Sequence, residues 1–419
     1  MRVPSTGVRL ASFGFVSFVT FITGAGAQTL PAEPIALANG RVTVGGDVSA
    51  TFGSEDPGFF NYTDYDHSAL RLLRIDLMAT AKAGPHLALL AEIRTENVDS
   101  VRPYALYARI RPWTTRDIDI QVGRIPPTFG AFARRTYAVD NPLIGYPLAY
   151  QYLTSLRPNA LPATADELLL KRSHGWLVRY SIGDSNFDRG VPLVSAFRWD
   201  TGVQVHGGHG IVSGAVAVTA GTLSNPLFSD DNGGRQVAAR VELKPVAGLI
   251  LGTSFARGPF VGASAERAAV GDASGIDADR FTQSAWGADV EYSRRYYLLR
   301  SETIVSDWRL PAVRAPLLDQ SLRAVSTSVE GRYKLAVGMY LAARFDHLGF
   351  NDVTGSTNAA SWDAPVRRTE IAAGYSMQRN LLLKVAYQHN HRDGGGLPID
   401  PFALKAVEHL AAAQLAFWF

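Results

Sequence analysis

Two histidine pairs have spacings suited to metal chemistry. His206 and His209 are separated by two glycines, and His389 and His391 by Asn390, which puts the second pair of imidazoles on one face of a strand. Neither pair has a carboxylate or a third ligand nearby in the sequence, so both read as turn or rim histidines and no metal site is expected. Asp64, Asp66, Asp230 and Asp231 offer the hard oxygens that calcium prefers. They lack a spaced ligand series and read as solvated loop tips. The chain has no Gly-x-Ser-x-Gly, no His-Glu-x-x-His and no phosphate-cradling glycine-rich loop with lysine. Cysteine is absent, which excludes disulfides, thiol chemistry and Cys-ligated metals. Neither an enzyme activity nor a cofactor is expected. The formal charge of +3 falls to +1 without Arg2 and Arg9, too small an excess to suggest a nucleic-acid partner.

The remaining chemistry lies in charges placed at every second position. Trp286, Ala288, Val290 and Tyr292 share one face of a segment whose other face carries Asp289 and Glu291. Arg300 and Glu302 alternate in the same way with Tyr297, Leu299 and Ser301, and Arg344 and Asp346 with Leu341, Ala343 and Phe345. Period two is the strand period, and from about Arg41 it recurs in segments broken by Gly, Pro, Asn and Asp. A soluble sandwich would turn the apolar face inward, whereas a membrane barrel turns it to lipid and lines water with the charged one.

Export signals and connection lengths favour the barrel. Arg2 and Arg9 precede an apolar run from Leu10 to about Ile22 and the small residues Ala25, Gly26 and Ala27, so residues 1–27 read as a signal peptide. Beyond residue 27 no stretch is long and apolar enough for a spanning helix, and only closed barrels otherwise satisfy every backbone group within a bilayer. Tight turns near residues 82–85, 112–117, 244–248, 293–295, 335–338 and 378–380 interleave with long polar loops, the asymmetry of outer-membrane barrels. Tyr292, Tyr333, Tyr375 and Phe417 lie on the apolar face close to the short-turn end, where an aromatic girdle would mark the periplasmic rim. The expected organisation is a signal peptide at 1–27, a periplasmic segment at 28–40 and an all-β transmembrane antiparallel barrel at 41–419. The expected location is the cell outer membrane.

Counting strands yields seventeen candidates, beginning near Arg41, Ala69, His86, Pro103, Ile118, Gly175, Ala196, Ile211, Arg235, Leu249, Phe281, Tyr296, Ser321, Met339, Thr369, Leu381 and Ala406. A single-chain barrel with both ends in the periplasm needs an even number. Counting back from Phe419, the strand after Ala196 must run down; counting forward, the strand after Ile118 must run up. The two become neighbours if residues 125–195 form one excursion, which leaves sixteen strands; a further crossing inside it would give eighteen. The excursion is rich in Pro, Tyr, Phe and Leu, and such a composition needs a wall to pack against, so it is expected to fold into the lumen and narrow it.

Val122-Gly123-Arg124, followed by Pro127-Thr128-Phe129-Gly130, resembles a passage in porins of the phosphate-selective O/P type. The last strand, Ala411 to Phe419, resembles the insertion signature of outer-membrane proteins, with Phe417 and Phe419 carrying it. The resemblance implies a sixteen-stranded channel, often a homotrimer, with a long inward loop at its constriction. It also implies membrane lipids and the barrel assembly machinery as partners. The chain departs from the dense Arg and Lys ladder of the anion-selective members, so phosphate selectivity is not carried over.

The residues expected to line the pore are Arg94, Arg109, Arg111, Arg300, Glu302, Arg332, Arg344, Asp346 and Lys384. Arg124, Arg134, Arg135 and Asp140 are expected in the constricting loop, where rings of fixed charge set ion preference. Arg134 and Arg135 read equally as a solvated loop pair. The functional expectation is a channel for passive diffusion of small polar solutes or ions. The alternatives are a plugged barrel with a ligand-binding or hydrolase site, and a surface-interaction barrel presenting Phe59, Phe60 and Phe228.

Overall fold

A computed structural model describes residues 33–63, 66–133, 135–196, 199–271, 280–393 and 406–419. The signal peptide expected at 1–27 lies outside the described residues. Sixteen strands form the wall: β1 Val42–Gly53, β2 Leu72–Lys82, β3 Leu87–Glu96, β4 Ser100–Ile110, β5 Asp117–Ile125, β6 Asp200–His209, β7 Val212–Thr219 and β8 Gln236–Leu243. They continue with β9 Leu249–Pro259, β10 Thr282–Arg294, β11 Tyr297–Trp308, β12 Leu322–Ala336, β13 Met339–Phe350, β14 Val366–Gln378, β15 Leu381–Arg392 and β16 Val407–Trp418.

Each strand pairs antiparallel with the next, and β16 pairs with β1 from Asp47↔Trp418 to Gly53↔Ala412. The sheet is thereby closed, and no wall strand is left with a free edge. Phe419 exchanges two backbone hydrogen bonds of 3.0 Å with Gly46. Below that point Ile35–Leu37 pairs with Val42–Val44 and continues the line of β16 along β1. Part of the stretch expected to precede the barrel therefore completes its wall.

Alternation sorts the wall into two faces. Leu299, Val329, Phe345, Ile371 and Val385 are 49–53% exposed on the outward face, while their neighbours Glu330, Arg344, Glu370 and Lys384 are buried inward. An apolar outward band over a polar interior fits residence in an outer membrane. At one end the strands are joined by residues 83–86, 111–116, 210–211, 244–248, 295–296, 337–338 and 379–380. The other end carries residues 54–71, 220–235, 260–281, 309–321 and 351–365, including the helix Ala263–Val270.

The conflict in the strand count resolves at sixteen. Ile125 on β5 pairs directly with Asp200 on β6, so the connection between them contributes no strand to the wall. The segment after Gly175 makes only an isolated bridge, Val178↔Asp188, and a two-residue pairing of Ile182–Gly183 with Ala160–Leu161. It lacks the run of alternating side chains that would let it face lipid on one side.

Candidate functional site

Residues 126–199 form a folded body inside the barrel. It contains the helices α1, Leu148–Gln151, and α2, Ala165–Leu170. The spacing Thr164-Ala165-Asp166-Glu167 starts α2: Thr164 Oγ1 accepts from the Glu167 N–H, and Glu167 accepts in turn from the Ala163 N–H at 2.7 Å. Residues 141–157 are all buried, with Leu143, Leu148, Tyr150, Tyr152 and Leu156 joining Phe129 and Phe132 in apolar clusters. Burying so many apolar side chains is what draws the segment into the lumen rather than out into solvent.

Polar wall side chains grip this body from several directions. Lys384 on β15 donates from Nζ to the carbonyls of Ala138, Asn141 and Leu143 at 2.8, 3.0 and 2.9 Å. Glu370 on β14 accepts from the N–H groups of Ile144 and Gly145, and Arg368 donates to the Tyr146 carbonyl at 3.0 Å. Glycine is required at 145: a Cβ would lie 2.3 Å from Gln388 Nε2 and 2.7 Å from Glu370 Oε2. Opposite, Glu302 on β11 accepts from the Ala131 N–H at 2.6 Å and from the Tyr150 hydroxyl at 2.9 Å. Burial, reinforced by Glu302, raises the pKa of Tyr150, which keeps its proton available as the donor.

Further grips come from Arg74 on β2 donating to the Tyr146 hydroxyl, Glu92 on β3 accepting from the Tyr137 hydroxyl, Gln204 on β6 accepting from Thr128, and Ser254 on β9 accepting from the Gly130 N–H. Contacts on β2, β3, β6, β9, β11, β14 and β15 encircle the body. It spans the lumen instead of lying along one side.

The expected pore-lining residues consequently divide into two groups. Arg94, Glu302, Arg344, Asp346 and Lys384 face inward but are buried beneath the body. Arg94 bonds Asp76 and stacks over the Tyr104 ring at 3.6 Å, and Arg344 bonds Asp346 at 2.9 Å and Glu370 at 2.8 Å. These side chains act as struts in a desolvated network. Arg109, Arg111, Arg300 and Arg332 lie nearer the short-turn end and remain partly accessible or exposed. Arg109 and Arg111 both bond Asp119, while Arg300 bridges Glu291 at 2.7 Å and Glu330 at 3.2 Å.

Of the expected constriction residues, Arg135 reaches Glu291 at 3.5 Å, beside Arg300. Burial, together with the like charge of Arg300, lowers its pKa. Asp140 keeps an accessible surface, but the protein around its carboxyl displaces part of the water shell, and this partial desolvation raises its pKa against the pull of Arg300 and Arg135. Arg124 is a correction. Register sets it beside Leu106 and Thr201, with the outward-facing Val122 two residues earlier, and its guanidinium stacks on Phe228 at 5.6 Å. The positive-φ Gly123 precedes it, and Arg124 lies on the outer wall instead of in the constriction. Arg134 lies outside the described residues. Phe417 and Phe419 stack at 5.9 Å at the barrel seam.

Between the body and β8–β12 lies a polar cavity of about 120 Å³, lined by Arg135, Arg240, Asp289, Glu291, Arg300, Glu302 and Glu330. Arg240 pairs with Asp289 through two hydrogen bonds of 2.7 and 2.9 Å. Sequence reading undervalued Arg74, Arg368 and Asp363 as anchors. The parity Arg74, Asp76 on β2 and Arg368, Glu370, Ala372 on β14 was available as a signal for the first two. Asp363, which accepts from the Ser155 and Ser173 N–H groups, sits in a loop with no such pattern.

Strand register also revises the histidine reading. It sets Asp119 opposite His206, and donor atoms of Asp117, Asp119 and His206 lie within 4.8 Å of one another. Both Asp119 oxygens are engaged by Arg109 and Arg111, whose charges oppose a cation there.

No family model and no curated protein sequence matches the chain. Solved structures do. The outer membrane channel DcaP of Acinetobacter baumannii is 12% identical, with 90% of this chain and 97% of that chain covered and a TM-score of 0.52. An anion-selective porin from Comamonas acidovorans is 10% identical over 90% of this chain and 99% of that one, with a TM-score of 0.50. OmpT of Vibrio cholerae, in a trimer form, is 11% identical over 90% and 99%, with a TM-score of 0.51. The chain has the sixteen-stranded fold of outer-membrane porins.

Proposed function

We propose that this protein is a narrow outer-membrane channel for small polar solutes or ions, with residues 126–199 as the element that restricts passage. The observation that carries the reading is the body gripped around the lumen, which leaves a charged cavity of about 120 Å³ beside Arg135 and Arg300. That space accommodates a few waters beside the paired charges. Paired cations and anions line it, and both signs of ion meet a counter-charge. The reading takes residues 1–27 as an export signal, Phe417 and Phe419 as the signal for the assembly machinery, and a homotrimer as the assembly, the last supported by the trimer form of OmpT. Transport rather than catalysis fits a lumen whose ionised groups are committed to structural pairs.

Planar-bilayer recording tests this. Folded protein gives small conductance steps, and deletion of residues 131–170 enlarges them while the barrel keeps its heat resistance. A second reading, a plugged barrel that binds a ligand without conducting, draws support from the burial of Arg94, Arg344 and Lys384. Absence of current from folded wild-type protein, with current restored by the deletion, selects it.

A further inference from the structure

His347, His389, His391 and His409 stand on the outward face of β13, β15 and β16, close to the long-loop end of the wall. Register sets Thr369, His389 and His409 abreast, and two residues further along it sets His347, Arg367 and His391 abreast. β15 ends at Arg392 and β16 begins at Val407, so His389 and His409 lie within a turn's reach of the strand ends.

In the sequence His389 goes with His391, because the two share one face of a strand, but the structure gives them different partners. His391 Nδ1 meets Asp393 at 3.1 Å. His389 faces His409 across the β15–β16 pair, with ring centroids 4.6 Å and Nδ1 atoms 3.4 Å apart. The Tyr387 hydroxyl, on the same face of β15, lies 2.5 Å from His409 Nδ1. Two imidazole nitrogens and a phenol oxygen from two strands are thereby gathered around one point.

At 3.4 Å the two nitrogens are further apart than in a well-formed N–H hydrogen bond. Two nitrogens bound to one zinc at ~2.0–2.1 Å, with a tetrahedral angle of ~109°, are about 3.3–3.4 Å apart. Adjacent nitrogens of a square-planar ion at the same bond length are about 2.9 Å apart. The charges nearby also permit a cation. Arg367, the cation nearest by register, reaches Asp393 at 4.0 Å instead of the three ligand atoms, whereas both Asp119 oxygens are held by arginines. His409 and Tyr387 are exposed, which gives an ion access from outside the barrel.

We propose that His389, His409 and Tyr387 form a binding site for a divalent transition metal, zinc by its geometry, with water as the fourth ligand. Each imidazole binds through Nδ1 and keeps its proton on Nε2, and Tyr387 binds through its hydroxyl oxygen. Imidazole nitrogen suits zinc, whereas calcium and magnesium take oxygen ligands. The ion ties β15 to β16, the strand that closes the barrel on β1. The site is independent of whether the lumen conducts.

Calorimetric titration of the untagged full chain, folded in mild detergent, with zinc chloride tests the proposal. One zinc binds per chain, and equal concentrations of magnesium or calcium chloride do not compete. His389→Ala and His409→Ala each weaken binding at least about tenfold, the lower end of what losing even a ligand's supporting partner costs. Tyr387→Phe also weakens it, and His206→Ala at the far end of the barrel leaves it unchanged. Cobalt(II) bound to the wild-type chain gives a reading that needs no variant, the intense visible absorption of tetrahedral coordination. No zinc binding, equal competition by magnesium, an octahedral cobalt spectrum, or binding that survives both His389→Ala and His409→Ala overturns it.

Discussion

Replacing Lys384 with Met tests how the lumenal body is held. The Nζ atom is fully buried and donates to three carbonyls, those of Ala138, Asn141 and Leu143, all within 3.0 Å. Methionine preserves length and apolar bulk but donates nothing, so the three carbonyls lose their partner in a site closed to water. Hydrogen bonds from a charged donor contribute about 1.5–3 kcal/mol each, and burying the ammonium costs several kcal/mol in return. The three carbonyls left without a donor cost about 1–3 kcal/mol each, and relief of the buried ammonium offsets part of that, for a net loss of about 3–5 kcal/mol. At 1.4 kcal/mol per factor of ten, local release of the body becomes about 100- to 4,000-fold more populated. Amide hydrogen exchange on detergent-folded protein reads this directly. Protection of Leu143, Ile144 and Gly145 falls by that factor, while amides of β11–β13 keep theirs. Unchanged protection at 143–145 refutes the reasoning, as does an equal loss throughout the wall, which would make Lys384 a support of the barrel itself.

On the opposite side, Glu302→Ala leaves the Ala131 N–H and the Tyr150 hydroxyl unpaired, at a cost of about 1–3 kcal/mol each. A double-mutant cycle with Tyr150→Phe, read by urea unfolding in lipid, shows a coupling of about 1 kcal/mol or more if the two side chains act together. Val329→Arg places a charge on the lipid face near the middle of β12 and destabilises the folded barrel by about 2–4 kcal/mol in the same assay. Removing Phe419 deletes the two backbone bonds to Gly46 and the ring against Phe417. The heat-resistant band on gels then appears more slowly during assembly, and an unchanged rate counts against a role for the terminus.

Much of the architecture was legible because period two needs no knowledge of neighbours. Arg344 and Asp346 fall on one side of their strand and Leu341, Ala343 and Phe345 on the other whatever pairs with them. The strand directions fixed by Phe419 made the Gly175 segment surplus, and the pairing of Ile125 with Asp200 agrees. Arg124 misled because β5 runs on through the positive-φ Gly123 to Ile125, so Arg124 is a paired wall residue whose side chain lies outward over Phe228. Parity distinguished inward from outward along the wall. It carried no information on whether an inward side chain meets water or the packed body, and Lys384 and Arg109, both inward, have opposite fates.

The sequence alone determined the class of fold and the need for an even strand count, because both follow from alternation, turn chemistry and the need to satisfy every backbone group in a bilayer; it left open whether the long excursion, expected at 125–195, held a further crossing. Tertiary structure decided what the excursion does. Whether 74 residues from 126 to 199 lie along one wall or span the lumen depends on side chains supplied by distant strands, Arg74, Glu302, Glu370 and Lys384 among them. The same holds for Asp119 beside His206 and His389 beside His409, pairs that exist only because strand register brings residues from separate segments face to face.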